Sequence, residues 1–509
     1  MSVDFTNLKE DVSSTAQPRK FPFLNGLDID KSATNKLALN LNRVLSGSED
    51  VYLTPIGKDN DLDSLLKELD ELISSKSDKI SKNLMNLEQA NRSKFGPRSI
   101  ATPWVDRKSS LHDYFKRRVS KVKFNPPRQS PNLRPLSVSN AANYLKKNTS
   151  SGMPFYTNKG SVIDELTSNF SSYLDRKDPC VLFTRTQEGR KTRNVWGYPV
   201  ADTLNEMRYY QPLLNHQKKL SWRTALLGPH AVDLAISNTM NRMDSSVDSL
   251  ISIDFSSFDA TVGKDLQKTC FDYISHLFQP NRDLEYIRDR FNTIGIITPD
   301  GVIEGSHGVP SGATFTNEVD SLAQYLIVKS TGIECDFQIQ GDDGAYLIKD
   351  FDIDRLKSAF SDNSLIVNED KSYVSKEYIV YLQKLYDIYY RVNGFIGGIY
   401  PLYRALNRII YQERYSNFMD YSLKGRDYYS LRTISILENC KYHPLFKEFV
   451  GLIYSKDSFK LEFTADGITN YGRMISNGPG TAGLINNQYG DDIKGIKSFE
   501  TYKLIKQLS

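Results

Sequence analysis

The stretch from Phe337 to Ile348, Phe-Gln-Ile-Gln-Gly-Asp-Asp-Gly-Ala-Tyr-Leu-Ile, constrains the chain more than any other. Phe337 and Ile339 alternate with polar residues, Ala345 to Ile348 form a second apolar run, and Gly341 to Gly344 are the kind of four that turns a hairpin between two strands. Two carboxylates, Asp342 and Asp343, therefore meet at a tight turn. Adjacent anions repel, and a divalent cation, which prefers carboxylate oxygen, is the natural counterweight. Asp and Gly are also ordinary turn formers, so the tripeptide alone reads equally as a surface turn. Its context has to decide.

With 509 residues, 39% of them hydrophobic, the chain exceeds one hydrophobic core and predicts two to four subdomains. A formal charge of +4 excludes a polycation but allows a local basic channel for a polyanion. Cys180, Cys270, Cys335 and Cys440 lie far apart and no His-x-x-x-His pair occurs, so neither a zinc site nor a disulfide framework is expected. No long apolar run, signal-like N-terminus or acylation glycine is present, which gives a soluble, cytosolic chain without a membrane partner as the expectation.

Along the first 95 residues the periodicity of Leu62, Leu65, Leu66, Leu69, Leu72 and Ile73 predicts one amphipathic helix, packed on the body of the protein or on a partner. Lys116-Arg117-Arg118, Lys121 and Lys123, with Phe115 and Phe124, suit single-stranded nucleic acid or simply a solvated basic face. Residues 181 to 199 predict a hairpin around Glu188-Gly189, with Lys191 and Arg193 on one face. Leu250 to Phe255 reads as a buried strand with Asp254 at its end, and Leu266, Cys270, Ile274 and Leu277 mark a helix. A glycine-rich loop, Gly305 to Gly312, leads into a helix with Phe315, Val319, Leu322 and Leu326 as its core face. That leaves Thr314, Asn317 and Ser321 free to meet a ligand. A helix from about Ile353 to Phe360, a strand at Leu365 to Val367, another at Tyr378 to Tyr386 and a mainly helical stretch from Pro401 to Lys460 follow. Residues 465 to 495, rich in Gly and Asn, predict an extended loop. A second Gly-Asp-Asp at Gly490 to Asp492 has no apolar strand before it and reads as a loop coincidence, so Asp491 and Asp492 are not expected to serve catalysis.

Four features thus occur in order: a basic hairpin, Asp254-Phe-Ser-Ser-Phe-Asp259, Ser311-Gly312-Ala-Thr314-Phe-Thr-Asn317, and Gly341-Asp342-Asp343. In this order the sequence resembles the viral RNA-dependent RNA polymerases. Candidates for two further motifs follow at Asn368 to Ser372 and Tyr381 to Leu385. The Arg-Lys-Thr-Arg-Asn-Val-Trp form of the hairpin and Ser151-Gly-Met-Pro154 look most like the picobirnavirus enzymes, then the partitivirus ones.

The resemblance implies an α+β right hand, with an antiparallel palm sheet, fingers and thumb, closed by N-terminal and fingertip segments. The expected division is an N-terminal extension (1–95), fingers (96–245, with the hairpin at 181–199), palm (246–395, with a fingers insertion around 279–305), and a thumb with a C-terminal loop (396–509). It implies RNA-directed RNA synthesis with Mg²⁺ or Mn²⁺, from RNA template and nucleoside triphosphates, inside a capsid within the host cytoplasm, with the capsid protein as partner and a double-stranded RNA genome to replicate and transcribe.

Nucleotide addition needs carboxylates from separate strands to hold two cations, and Asp254 and Asp342, with Asp343 as a secondary ligand, fill that role if their strands are neighbours. Lys191 and Arg193 would grip the triphosphate, with Arg185 and Arg190 as helpers. Lys371 is the candidate general acid for pyrophosphate, or an exposed loop lysine. Asp259, with Asn317 and Ser311 as its partners and Thr314 nearby, would read the sugar hydroxyl, which argues against a reverse transcriptase. A non-catalytic RNA-binding protein inside the capsid that keeps the polymerase fold would show itself by loss of a metal carboxylate. Asp254, Asp342 and Asp343 are all present.

Overall fold

The computed structural model describes residues 19–127, 132–477 and 495–508. Its centre is a four-stranded sheet in the order Cys335–Gln340, Asp343–Lys349, Asp248–Ile253, Tyr373–Ser375, every neighbouring pair antiparallel. Side chains alternate across this sheet as the pleat requires. Ile251, Ile253, Ile339, Tyr346 and Ile348 pack into a core with helices Lys264–Leu277, Thr316–Thr331 and Ile353–Asp362. Leu250, Ala345 and Leu347 face the other way, onto Val232, Ile236 and Met240 of helix Pro229–Arg242 and onto the hairpin that begins at Tyr378. Both faces are therefore covered, which is why Asp248–Ile253 is buried along its whole length.

The basic hairpin, Cys180–Thr186 with Thr192–Gly197, belongs to a second four-stranded sheet. Cys180 and Val181 run parallel to Ile296 and Ile297, whose strand turns back at Gly301–Ile303. Helix Lys31–Ser46, absent from the sequence reading, buries Ala33, Leu37 and Leu41 against Val181, Phe183 and Val195 of this sheet. Asp30 caps it by accepting from Ala33 N at 2.7 Å.

From Leu402 on the described chain is mainly helical. Its core contains Leu65, Leu69, Ile73 and Leu84, so the amphipathic helix Leu62–Ser75 packs within the protein, on these C-terminal helices. Tyr52–Leu53 pairs antiparallel with Tyr411–Gln412. Thr54 Oγ1 donates to Ile409 O at 2.8 Å. Glu88, fully buried, accepts from the N–H groups of Leu402 and Tyr403 at 2.7 and 3.2 Å, satisfying two of the free donors at the start of helix Leu402–Ile410. The N-terminal segment thus joins the sheet of the basic hairpin to the C-terminal helices.

Three expectations change. Leu365 to Val367 is not a strand: Val367 makes one isolated bridge, to Phe255, and the pairing ends where the helical turn Glu369–Lys371 begins. Tyr378 to Tyr386 is a hairpin, Tyr378–Tyr381 with Lys384–Asp387, turned by Leu382 and Gln383, both at positive φ. Residues 465 to 477 form helix Ala465–Asn477 rather than loop. Thr464 accepts from Gly467 N as its cap, and Ile468, Tyr471, Met474 and Ile475 supply an apolar face at helical spacing. Gly467 is there for close approach, since a Cβ on it would lie 2.5 Å from Asp427 Cγ. The rest of that predicted loop, with Gly490 to Asp492, lies outside the described residues.

Candidate active site

Gln340 pairs with Asp343, so the turn is only Gly341-Asp342, and Gly341 at φ 64 supplies the positive φ that such a two-residue hairpin demands. Ile253 pairs with Gly344 on the next strand, which carries Asp254 to the side of Asp343. Helix Thr316–Thr331 fixes the turn from below. Gly341 N donates to Ser321 Oγ at 2.8 Å, Gln324 Nε2 donates to Gly341 O at 2.6 Å, and Gln340 Nε2 donates to Asn317 Oδ1 at 2.8 Å. Asn317 and Ser321 are thus not the free polar face expected from the sequence. They anchor the carboxylate turn, because buried amides and hydroxyls must find partners and the turn's backbone offers them.

The three carboxylates crowd one another. Enclosure by protein atoms, then the charges of Asp342 and Asp254, push Asp343 up to about 7. Asp254 is raised by burial, with Lys371 opposing and Asp342 adding to the rise. Asn368 Nδ2 donates to Asp254 Oδ2 at 3.1 Å and Lys371 Nζ stands 3.8 Å from the same oxygen. This set of hard oxygen donors under mutual repulsion fits a divalent cation of the Mg²⁺ kind. Among the described residues no three His, Cys, Asp or Glu side chains enclose an ion by themselves. Magnesium sites that use one or two carboxylates and complete their shell with substrate phosphates have that character.

Lys191 and Arg193 are both exposed. Partial enclosure, then the charges of Arg193 and Lys371, lower Lys191, while Asp254 and Asp342 act the other way. Arg193 bears on Asp343 and Asp259. Arg185 pairs with Glu413 at 3.2 Å and Arg190 is held by Glu49, so the two expected helpers tie the hairpin to the segment after helix Leu402–Ile410 and to the N-terminal segment. Carboxylates distant in sequence reached them first. Lys116 and Arg118 pair with Asp113 at 2.7 and 3.1 Å, leaving Arg117, Lys121 and Lys123 exposed on an irregular stretch outside the carboxylate group.

The expected sugar-reading partners are also engaged elsewhere. Ser311 Oγ accepts from Trp196 N at 3.3 Å and donates to Asn194 O at 3.4 Å, joining its loop to the hairpin. Thr314 N donates to Glu206 Oε2 at 2.5 Å, turning Thr314 toward a buried carboxyl. Asp259 instead meets Asp320, which the sequence reading missed. Burial, then Asp259 and Asp342, lift Asp320 well above the carboxylate range, so it holds the proton and donates to Asp259, itself pushed up to about 6 by burial and Asp342. The signal was available: Asp320 falls one helical turn after Asn317, on the face shared with Ser321 and Gln324.

Glu206 provides a pH test. Burial pushes it up to about 8 in spite of its bonds from Thr314. A carboxyl raised on folding contributes fully below its unfolded value and loses that contribution as pH rises toward its folded value. Glu206→Gln keeps an acceptor for Thr314 and removes the charge. The variant is expected to exceed the parent in stability by roughly 2–4 kcal/mol at pH 8 and to match it near pH 5. Denaturant melts at the two pH values check this.

A family model described as viral RNA-dependent RNA polymerase matches residues 102–387. The chain is 29% identical over 459 residues to a potential RNA-dependent RNA polymerase of a human picobirnavirus, covering 82% of this chain and 85% of that one. It is 26% identical over 281 residues to an RNA-directed RNA polymerase of Cryptosporidium parvum virus 1, covering 48% and 52%. The crystal structure of a human picobirnavirus RNA-dependent RNA polymerase superposes with a TM-score of 0.76 at 26% identity, covering 92% of this chain and 96% of that one. An insertion-loop deletion mutant of such an enzyme gives 0.75 at 26% identity over the same shares. The α+β right hand expected from the sequence is the observed fold.

Proposed function

Because the chain belongs to the viral RNA-dependent RNA polymerases and is accordingly an RNA-directed RNA polymerase, we propose that Asp254, Asp342 and Asp343 are the carboxylates on which it adds nucleotides to RNA. One observation carries this reading: the register that sets Asp254 beside Asp343 at the end of the central sheet, with Lys371 Nζ 3.8 Å from Asp254. Asp254 and Asp342 would hold two divalent cations, with Asp343 behind them. Bound there, the cations would stabilise the attacking and leaving oxygens of an in-line displacement. Lys191 and Arg193 orient the triphosphate, and Lys371 donates the proton that pyrophosphate takes.

Asp259 reads the ribose 2′-hydroxyl, with Asp320 as the donor that keeps its carboxylate in place. A site built to bond a hydroxyl rejects a sugar without one. Asp320→Leu and Asp259→Ala are each expected to narrow the preference for ribonucleotides over deoxynucleotides by roughly tenfold or more. Asp320→Asn, whose amide can donate, is expected to keep most of it. Relative incorporation of the two sugars decides, and equal preference in all variants would reject the assignment.

We further propose a double-stranded RNA genome as the natural template, replicated and transcribed inside the virion in the host cytoplasm, with the capsid protein as partner. The motif resemblance and the picobirnavirus relatives support this. The test of function is direct. Purified protein is incubated with single-stranded RNA, four ribonucleotides and Mg²⁺ or Mn²⁺, with and without a primer, and full-length complementary RNA is the expected product. Its absence under every condition would overturn the reading.

A further inference from the structure

Residues 117 to 124 belong to no helix or strand, and their exposure alternates along the whole stretch. Arg117, Val119, Lys121 and Lys123 are exposed, while Arg118, Ser120, Val122 and Phe124 turn inward. That period of two is the mark of an extended chain, here laid on the surface without a neighbouring strand. Side chains hold it in place instead. Asn363 Oδ1 accepts from Ser120 Oγ at 2.8 Å and from Lys121 N at 2.9 Å, and Ser364 Oγ accepts from Val119 N at 3.1 Å and donates to Val119 O at 2.9 Å. Thr269 Oγ1 donates to Val122 O at 3.1 Å, and Gly263 lets Arg118 lie close, since a Cβ on it would stand 2.5 Å from Arg118 Cβ. Ser364 makes its two bonds at φ 67, a left-handed backbone that is costly for a residue with a side chain and persists only where the surroundings fix it.

The inward residues find partners and the outward cations do not. Arg117, Lys121 and Lys123 make no side-chain hydrogen bond or ion pair among the described residues. From Arg117 to Lys123 the strip is about 20 Å long, and like charges along one face repel unless an anion lies across them. Exposed residues of the bordering helices balance in sign, Lys264 and Lys268 against Asp265 and Asp362, so the net charge of this face is that of the strip. The aromatics are not available to bases. Phe115 packs on Trp196 and His307 with ring centroids 6.0 and 5.6 Å apart, and Phe124 on Tyr273 and His276 at 5.4 and 5.7 Å. The stacking groups that the sequence offered are taken up by the core, and what remains outside is charge in a line. Its place is set as well: Ser364 lies four residues before Asn368, whose N donates to Asp254 O at 2.8 Å, at most about 14 Å of chain.

We propose that Arg117, Lys121 and Lys123 form a strip on the outer surface that holds single-stranded RNA by its phosphates, without reading its bases. The polymerase reading enters only as the reason that RNA is at hand. A row of cations about 20 Å long outreaches one triphosphate and suits a strand, which carries a charge on every nucleotide. Contacts to phosphates position a strand and carry no sequence information. The fixed backing favours binding, because a backbone already in place loses no freedom when the strand arrives.

The test is fluorescence anisotropy of the full chain with labelled oligo(U) and oligo(A), long enough to span the carboxylate site and the strip together, over a series of salt concentrations. The triple variant Arg117→Ala, Lys121→Ala, Lys123→Ala is expected to bind both about 100-fold more weakly near 0.1 M salt, with the slope of log affinity against log salt smaller by about 2, as the loss of three phosphate contacts requires. A control, Lys31→Ala, Lys67→Ala, Lys447→Ala, removes the same charge from exposed positions on three other helices and is expected to bind as the parent does. Extension of a short primed template, its nucleotide KM and its inhibition by inorganic tripolyphosphate are expected to stay parental in both. Unchanged affinity and slope in the strip variant would overturn the proposal. So would an equal loss in the control, which makes the effect one of net charge, or a raised nucleotide KM at parental RNA affinity, which makes the site one for nucleotides. Polyglutamate bound by the parent and lost by the strip variant, at parental RNA affinity, would identify a face for an acidic protein and defeats it equally. Should the triple variant not fold, each single substitution is read alone, at roughly fivefold and a slope change of about 0.7. Anisotropy needs no synthesis: a parent that binds RNA through the strip and makes none defeats the polymerase reading, and an active parent with indifferent variants defeats only this inference.

Discussion

Asp254→Asn, and separately Asp342→Asn, is expected to lower RNA synthesis by roughly 10³-fold or more while leaving the melting temperature at or above the parental value. Loss of activity follows from the loss of one ligand charge where the displacement needs two cations. Retained stability follows from repulsion. Asp254 is raised by its surroundings and Asp343 by both neighbours, so removing one negative charge relieves the others in the folded state. Single-nucleotide extension rates with Mg²⁺ and Mn²⁺, measured beside thermal melts, give both readouts. A folded Asp254→Asn enzyme with most of its activity would remove Asp254 from the site.

Gly312→Ala is expected to be the most damaging glycine-to-alanine change among the described residues. A Cβ there would lie 1.7 Å from Trp196 O, a backbone atom of the hairpin. Neither side can yield cheaply. Ser311, one residue before, is bonded to Asn194 O and Trp196 N, and Trp196 is fully buried. The loop and the hairpin must separate, with a cost of about 4 kcal/mol or more and displacement of Lys191 and Arg193. Gly451→Ala, inside helix Phe446–Lys456 with nothing within 4 Å of its added Cβ, is the contrasting control. It is expected to stabilise by about 0.5–1 kcal/mol. Denaturant midpoints of the two variants separate close approach from a general effect of replacing glycine.

What the sequence made legible was local. An apolar run at Leu250 to Phe255 and the alternation of Phe337 and Ile339 before Gly341-Asp342 were enough to predict two strands ending in carboxylates, and hydrophobic spacing predicted helices Lys264–Leu277 and Thr316–Thr331. What stayed hidden depends on partners distant in the chain. Arg190 and Arg185 read as triphosphate contacts until Glu49 and Glu413 arrive to claim them. Asp320 looked like one more polar residue of an amphipathic helix, but that helix is surrounded, with Glu318, Asp320, Ser321 and Gln324 all buried, so its polar face works inside the protein. The helix at 465 to 477 was masked by its glycines, although Thr464 and the spacing of Ile468, Tyr471 and Ile475 carried the signal. Helix Lys31–Ser46 has Leu37, Leu41 and Val44 at helical spacing, diluted by the polar residues around them.

The joining of Tyr52–Leu53 to Tyr411–Gln412 also sets a schedule for the newborn chain. Thr54 and Ile409 are 355 residues apart, so at a synthesis rate of roughly 5–20 residues per second the first waits on the order of 20–70 s for the second to be made. The central sheet, whose last strand ends at Ser375, can assemble earlier in translation. Until the ribosome has passed Glu413, Glu88 has no helix to cap and Glu188 has no Arg404 to pair with. An unfinished or truncated copy therefore carries the carboxylates without the wall around them.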